Sequence, residues 1–397
     1  MAKSKASLDD LAIFDGPPAF AETLHVGRPN IGDRNIFQAR VGDILDRRWL
    51  TNAGRYVDEF EQRIAEFAGV EHCVAMCNGT VALEIAIRAL GMTGEVIIPS
   101  FTFIATAHAL QWQGITPVFC DIDPRTHTLD PGKVESMITP RTKGIVGVHT
   151  WGKPCNIDAL SEIARRRGLK LLFDSASALG CSYKRRMIGG FGDAEVFSFH
   201  ATKIVNSFEG GAVLTNDADL AHKMRLMKNF GFTYFDRTDD TGTNGKMNEV
   251  SAAMGLTNLE SLDDFIAVNR RNYASYAEEL AGLNGISLLP YDEEEKGNFH
   301  YVVLELNEDE ILTRDQLVDI LQAENVLARR YFSPGCHRME PYRSLYPNAH
   351  LALPQTERVA ARVITLPTGE VITPEIIGGV CNIIRVALAN AAEVHKR

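Results

Sequence analysis

Short apolar runs alternate with helical patterns over the first two-thirds of the chain. The runs HCVAMC (72–77), EVIIPS (95–100), TPVFCDI (116–122), GIVGVHT (144–150), LKLLFDSA (169–176), EVFSFHA (195–201) and GAVLTND (211–217) are nearly continuous in apolar residues. Continuous runs of this length mark strands covered on both faces, and the helices between them supply the crossovers of a parallel sheet. The segment TVALEIAIRAL (80–90) is apolar almost all round, with Glu84 and Arg88 as its i,i+4 polar pair, and predicts a buried helix. From Glu249, EVSAAMGLTNLESLDDFIAVNRRNYASYAEEL predicts long helices leading away from the sheet. Beyond them the strand pattern HYVVLEL and the helix pattern RDQLVDILQAENV alternate, as in a smaller α+β unit. The expected fold class is α/β: an N-terminal segment (1–30), a large domain with a mostly parallel central sheet (31–265), and a smaller α+β C-terminal domain (266–397).

Composition narrows this picture. At 397 residues, 45% hydrophobic and 23% charged, the chain is too long for one core and ordinary for a globular protein. No apolar run is long enough to span a bilayer, and the start MAKSKASLDDLAIFDGPPAF lacks a signal-peptide core, so a cytoplasmic protein with no membrane partner is expected. The seven cysteines are scattered, with no C-x-x-C pair or Cys/His cluster, which reads as free thiols and no metal site. A formal charge of −10, without basic runs interleaved with aromatics, argues against a nucleic-acid partner. Any anionic ligand must be held by a local site.

In an open α/β sheet ligands sit beyond the carboxyl ends of the strands, and four such ends carry usable groups. After the first run come Asn78, Gly79 and Thr80, opening onto a helix whose N–H groups and dipole favour a phosphate. The same three residues also suit an ordinary turn and N-cap. After the second run, Phe103 stands where an aromatic ring would stack on a flat heterocycle or pack in the core. Asp174 ends the apolar strand LKLLF, and a buried carboxylate there needs a cation or several donors. Lys203 follows EVFSFHA, with Ser198 on that strand and Glu209-Gly210-Gly211 closing the loop. A lone loop lysine is ordinarily solvated; convergence with the other three strand ends changes that. A phosphate site, a stacking ring, an acid for a ring nitrogen and a lysine for an aldehyde together describe pyridoxal 5′-phosphate (PLP). The GGFG run (189–192) does not give a dinucleotide-binding G-x-G-x-x-G, and no P-loop spacing occurs.

The runs CNGTVAL, PSFTFIATAHA, DIDPRTHTLDP, VHTWGKPCNIDAL, FDSASALG, FSFHATK, GTNGKMNEVSAAMG and YFSPGCH, in this order and spacing, resemble the PLP-dependent nucleotide-sugar aminotransferases of the DegT/DnrJ/StrS group. Within it, SFHATKIVNSFEGGAV, NFGF and YFSPGCHRMEPYR look like the dTDP-4-keto-6-deoxyglucose 4-aminotransferases of desosamine-type pathways. The resemblance implies PLP fold type I, the aspartate aminotransferase-like architecture. It implies that Lys203 is the Schiff-base lysine and that Asp174 pairs with the pyridine nitrogen. The backbone at Gly79 and Thr80, with the Ser198 hydroxyl, would hold the phosphate, and Phe103 would cover the ring. Asn244 matches a residue reaching the phosphate from the neighbouring subunit, so a homodimer with shared sites is implied. Three departures stand out. Ser177 occupies the place where Gln or His usually meets the cofactor's phenolic oxygen. Lys246 stands where Arg is common, a point charge in place of a fork. Phe208 replaces the first glycine of the usual GEGG loop.

The resemblance implies transamination from L-glutamate to C4 of a nucleotide-linked 4-keto-6-deoxyhexose, with dTDP as the nucleotide. Lys246, Arg329 and Arg330 are the local cations for a diphosphate, and Tyr331 and His337 the candidate sugar contacts. The readings that remain beside it are a sugar 3-aminotransferase, a UDP- or GDP-sugar 4-aminotransferase, and a non-catalytic sugar- or PLP-binding sensor.

Overall fold

The computed structural model describes residues 3–396. All seven continuous apolar runs become strands of one sheet: β1 (His72–Met76), β2 (Glu95–Pro99), β3 (Thr116–Cys120), β4 (Thr142–Val148), β5 (Lys170–Asp174), β6 (Ala194–Ser198) and β7 (Gly211–Thr215). Their spatial order is β1, β7, β6, β5, β4, β2, β3. Strand β7 lies antiparallel between β1 and β6, and the other neighbouring pairs are parallel. Every residue of β2 and β7 is buried, as strands covered on both faces must be. Each sequence run overshoots its strand at the C-terminal end, and the site residues lie at the last strand positions or in the loops and helix starts that follow.

The principal helices are α1 (Arg34–Arg47), α2 (Arg55–Ala68), α3 (Gly79–Ala89), α4 (Ile104–Gln111), α5 (Ile157–Arg167), α6 (Ala218–Met227), α7 (Glu249–Glu260), α8 (Leu262–Glu279), α9 (Arg314–Ala323) and α10 (Pro374–Ala389). The buried helix expected at 80–90 is α3, but no ion pair joins Glu84 to Arg88; burial alone pushes the Glu84 carboxyl up. Helix α7 does not lead away from the sheet. It packs against α1 and α2 and is buried on every side, because Ala252, Ala253 and Gly255 present almost no side-chain bulk. Its first residues have separate jobs. Asn248 caps α7 by accepting the Ser251 N–H at 2.8 Å, while the Glu249 carboxylate accepts the N–H groups of Tyr56 and Val57, both at 3.0 Å. Glu249 thereby caps α2, whose own N-cap is Gly54 with no side chain to offer.

A second sheet, β8 (Ile286–Leu288), β9 (Val302–Leu306) and β10 (Val363–Leu366), is fully antiparallel. Its core gathers Tyr276, Leu304, Leu317, Ile364 and Ile384 with Leu8, Leu11 and Phe20 of the N-terminal segment. That segment is stapled by a buried pair. The Lys5 amine donates to the carbonyls of Asp10 and Pro17, each at 2.6 Å, and lies 3.0 Å from Glu324. Glu324 also accepts the N–H groups of Ala12 and Ala19. Helix α8 joins the two cores without a break, burying Leu262 and Phe265 in the first and Tyr276 in the second, so the 265/266 boundary expected from sequence falls inside one helix.

All seven cysteines are free. Among the described residues, no helix is long and apolar enough to cross a membrane, and no cluster of three or more His, Cys, Asp or Glu side chains is arranged to hold a metal.

Candidate active site

Strands β5 and β6 are parallel neighbours, so Asp174 and Ser198, their last residues, emerge on the same rim of the sheet. Asp174 is buried, and its two oxygens accept the Thr106 hydroxyl at 2.8 Å and the Ala176 N–H at 3.2 Å. Burial pushes its pKa up, against the pull of those two hydrogen bonds and of the Lys203 charge. Two donors do not replace a hydration shell; this carboxylate is short of positive charge.

Beyond β6 the chain turns back, with the Lys203 N–H bonded to the His200 carbonyl at 2.8 Å. The turn delivers the Lys203 amine to the loop that follows Asp174, where it donates to the Ser177 hydroxyl at 3.1 Å. Ser177 is also 3.4 Å from the Tyr301 hydroxyl, at the mouth of β9. Beside it, the His300 ring donates through Nε2 to the Thr202 carbonyl at 2.9 Å. Burial and the nearby Lys203 charge push His300 down to about 4, so it is neutral at neutral pH.

An anion cradle lies two strands away. Asn78 caps α3, its side chain accepting the Val81 N–H at 2.8 Å, which leaves the N–H groups of Gly79 and Thr80 as the open end of the helix. A Cβ on Gly79 would lie 3.1 Å from Ser198 Cβ and 3.2 Å from its Oγ, so the Ser198 hydroxyl stands directly beside that helix end. Gly211 makes this approach possible. It pairs in register with Met76 on one side and Ser198 on the other, and a Cβ there would come within 2.5 Å of the Asn78 carbonyl carbon. The departure at Phe208 also acquires a geometry. Its φ of 60° is left-handed, the conformation that favours glycine, and its ring packs edge-on against Phe37 at 5.8 Å.

A cavity of about 410 Å³ adjoins the rim and is lined in part by Phe103, Arg329, Arg330, Tyr331 and Met339. Phe103 is 59% exposed, a ring presented to the opening and not a core residue. Thr102 in the cavity wall touches Thr106 at 3.1 Å, which links the cavity to Asp174. Arg329 lays its guanidinium over the Tyr331 ring at 5.2 Å, whereas Arg330 is tied to Asp315 and Asp319, each at 2.6 Å. His337 is buried with both ring nitrogens engaged, by Ser100 at 2.7 Å and Glu357 at 2.5 Å, and holds two segments together. Lys246 and Asn244 lie in the segment that runs beside edge strand β1, where Lys246 bridges Met76 and sets its amine over the Phe230 ring.

The geometry therefore unites Lys203, Asp174, Ser177, Ser198, Gly79 and Thr80 on one rim, with Phe103, Arg329 and Tyr331 at its opening. Residues 32–385 match the family described as DegT/DnrJ/EryC1/StrS aminotransferases. The chain belongs to this aminotransferase family. Among curated members, it is 35% identical over 362 residues to the dTDP-4-amino-4,6-dideoxy-D-glucose transaminase of Shigella dysenteriae, covering 91% of this chain and 98% of that one. It is 39% identical over 334 residues to the GDP-perosamine synthase of Caulobacter vibrioides, covering 82% and 88% of the two chains. Among solved structures, DesI in the presence of its TDP-sugar product superposes with a TM-score of 0.94 at 50% identity, covering 98% of this chain and 99% of that one.

Three residues of this family member's rim escape sequence reasoning. Thr106 had a faint signal, one helical turn beyond Thr102 in the run SFTFIATA. Tyr301 and His300 had none, because they arrive from the second core about a hundred residues downstream of the lysine loop.

Proposed function

We propose that this aminotransferase carries PLP and moves an amino group from L-glutamate to C4 of a dTDP-linked 4-keto-6-deoxyglucose, yielding the 4-amino-4,6-dideoxy sugar. The observation that carries this reading is a buried, charge-starved Asp174 at the end of β5 with the Lys203 amine delivered to the loop that follows it. The residues present fit the cofactor: the end of α3 and Ser198 suit its phosphate, Asp174 its ring nitrogen, and Phe103 its face. When bound, PLP supplies an aldehyde for amines and a protonated ring that stabilises negative charge at the reacting carbon. Asp174 keeps that ring nitrogen protonated, and in doing so gains the cation its buried carboxylate lacks. Lys203, as a neutral amine, would take the proton from the α-carbon of glutamate and hold it as an ammonium; on the keto-sugar it would work in the reverse sense and deliver a proton to C4. Its turn is closed by the Lys203 N–H bond to the His200 carbonyl, and its amine is held at Ser177.

The dTDP assignment is supported by the names of the Shigella relative and of DesI with its TDP-sugar. The Caulobacter relative supports a GDP-linked substrate as the second reading. A homodimer sharing its sites is supported by the exposed Leu45, Trp49 and Leu50 and by the aromatic hairpin bearing Tyr234 and Phe235 near Asn244. The deciding experiment supplies dTDP-, UDP- and GDP-4-keto-6-deoxyhexoses with glutamate and locates the new amine by NMR. Amination at C4 of the dTDP sugar well above the other two is expected; equal turnover of all three, or an amine at C3, rejects the assignment. Sedimentation as a monomer would remove the shared-site arrangement.

A further inference from the structure

Ser177 stands where a longer side chain is usual, and its surroundings show what has taken over. Its hydroxyl lies 3.1 Å from the Lys203 amine and 3.4 Å from the Tyr301 hydroxyl, so the three groups form a chain with serine in the middle. The second link is longer than an ideal hydroxyl pair. The neighbouring residue fixes it from another direction: His300 donates to the carbonyl of Thr202, the residue before the lysine. The Tyr301 backbone is held in turn, its carbonyl accepting the Tyr291 hydroxyl at 2.9 Å. Two consecutive residues leading into β9, in the second core, thus grip the backbone and the side-chain end of the catalytic lysine.

We propose that Tyr301, acting through Ser177, and His300, acting through the Thr202 carbonyl, position the Lys203 amine and stabilise it in both of its protonation states. A chain of two hydroxyls can run in either direction. When Lys203 is an ammonium, it donates to Ser177 Oγ, and the Ser177 hydrogen turns to Tyr301. When Lys203 is a neutral amine, Tyr301 donates to Ser177, and Ser177 donates to the nitrogen. Only hydrogens rotate; no heavy atom moves and no proton leaves the chain. An amide or imidazole in place of Ser177 would offer a fixed donor or acceptor to the amine, whereas two rotatable hydroxyls suit a lysine that must be base and then acid. The other titratable groups facing the amine are Asp174 at the end of β5 and His300, which stays neutral and adds no repelling charge.

The inference rests on the proposed PLP chemistry, and the test separates the two. Wild type, Tyr301→Phe, Ser177→Ala, Ser177→Thr and the Tyr301→Phe/Ser177→Ala double variant are loaded with PLP, and the visible absorption band is titrated with pH. Tyr301→Phe and Ser177→Ala should each move the titration midpoint by about half a pH unit or more. Each should lower kcat about tenfold, with KM for the keto-sugar within about twofold of wild type. The double variant should be no worse than the worse single one, because the groups act in series. Ser177→Thr keeps the hydroxyl and should hold the wild-type midpoint. Melting temperatures within about 2 °C of wild type establish that folding is intact, and a Tyr301→Phe protein that fails this leaves Ser177→Ala against Ser177→Thr as the deciding pair. Unmoved midpoint and kcat, additive losses in the double variant, or a Thr variant as impaired as the Ala variant each overturn the inference. A wild-type protein that acquires no visible band with PLP fails the cofactor reading itself.

Discussion

Lys5 is 3% exposed, and its amine is enclosed by the carbonyls of Asp10 and Pro17 and by the Glu324 carboxylate. Lys203 is half-buried, and its amine meets one serine hydroxyl while the carboxylate at the end of the adjoining strand is occupied with Thr106 and Ala176. The first lysine has every donor answered, and one of its acceptors, Glu324, also ties down two backbone N–H groups. The second has capacity to spare. Complete satisfaction makes a polar group a structural fixture, whereas a withdrawn amine with few partners retains the freedom to change protonation state. Residue type alone does not separate a staple such as Lys5 from the reactive amine proposed for Lys203; the inventory of partners does.

Exchanging the two lysines for alanine is the strongest way to break this contrast. Lys203→Ala should lower turnover by about 10⁴-fold or more while leaving the melting temperature within a few degrees. Lys5→Ala should do the opposite, leaving Glu324 buried without its cation and costing about 3–5 kcal/mol of stability with little change in kcat. Paired measurements of turnover and chemical denaturation check both, and a Lys203 variant that unfolds while a Lys5 variant loses only activity would reverse the assignment.

Asp174 sharpens the comparison from the acid side. Its native pKa lies above the unfolded value, so between those values the native state holds more protons and stability falls as pH rises. At neutral pH its buried charge therefore weighs against the fold until a cation arrives. Asp174→Asn should raise the melting temperature of the cofactor-free protein at neutral pH and abolish transamination. The stabilisation should vanish at pH values below the unfolded carboxyl pKa, where wild-type Asp174 is itself neutral. A variant that is less stable at neutral pH would show Asp174 to be a structural group like Glu324.

The smallest effect belongs to His300. Its native pKa of about 4 lies below the unfolded value of 6.5, so on acidification the unfolded chain takes up the proton first. Its contribution is full above the unfolded value and is lost as pH falls through that window. His300→Gln should flatten the acid limb of a melting-temperature profile between those two values and leave the neutral-pH value nearly unchanged. An unaltered acid limb would place His300 in open water.

Much of the framework was legible in the chain. Burial on both faces leaves a strand no reason to alternate, and each of the seven continuous apolar runs became a strand of the central sheet. Asp174 and Lys203 were legible for the complementary reason, as ionisable groups following apolar strands whose ends a parallel sheet collects on one rim. Asn78 was readable as a helix start because capping is a contact within one turn.

What the chain alone left open concerns partners far apart in sequence. Arg330 and Lys246 look alike as cations until Asp315 and Asp319 are found around the first and the Phe230 ring beneath the second. His337 reads as a sugar contact until Ser100 and Glu357 take both of its nitrogens. The left-handed backbone of Phe208, the approach of Ser198 to Gly79 across Gly211, and the grip of His300 and Tyr301 on the lysine loop all depend on how distant segments close on one another. Sequence by itself determined the sheet, its rim and the two ionisable groups upon it, because hydrophobic period and strand ends are local properties. Only the tertiary structure decided which polar groups are already satisfied and which are free to react, because satisfaction is a property of pairs brought together by the fold.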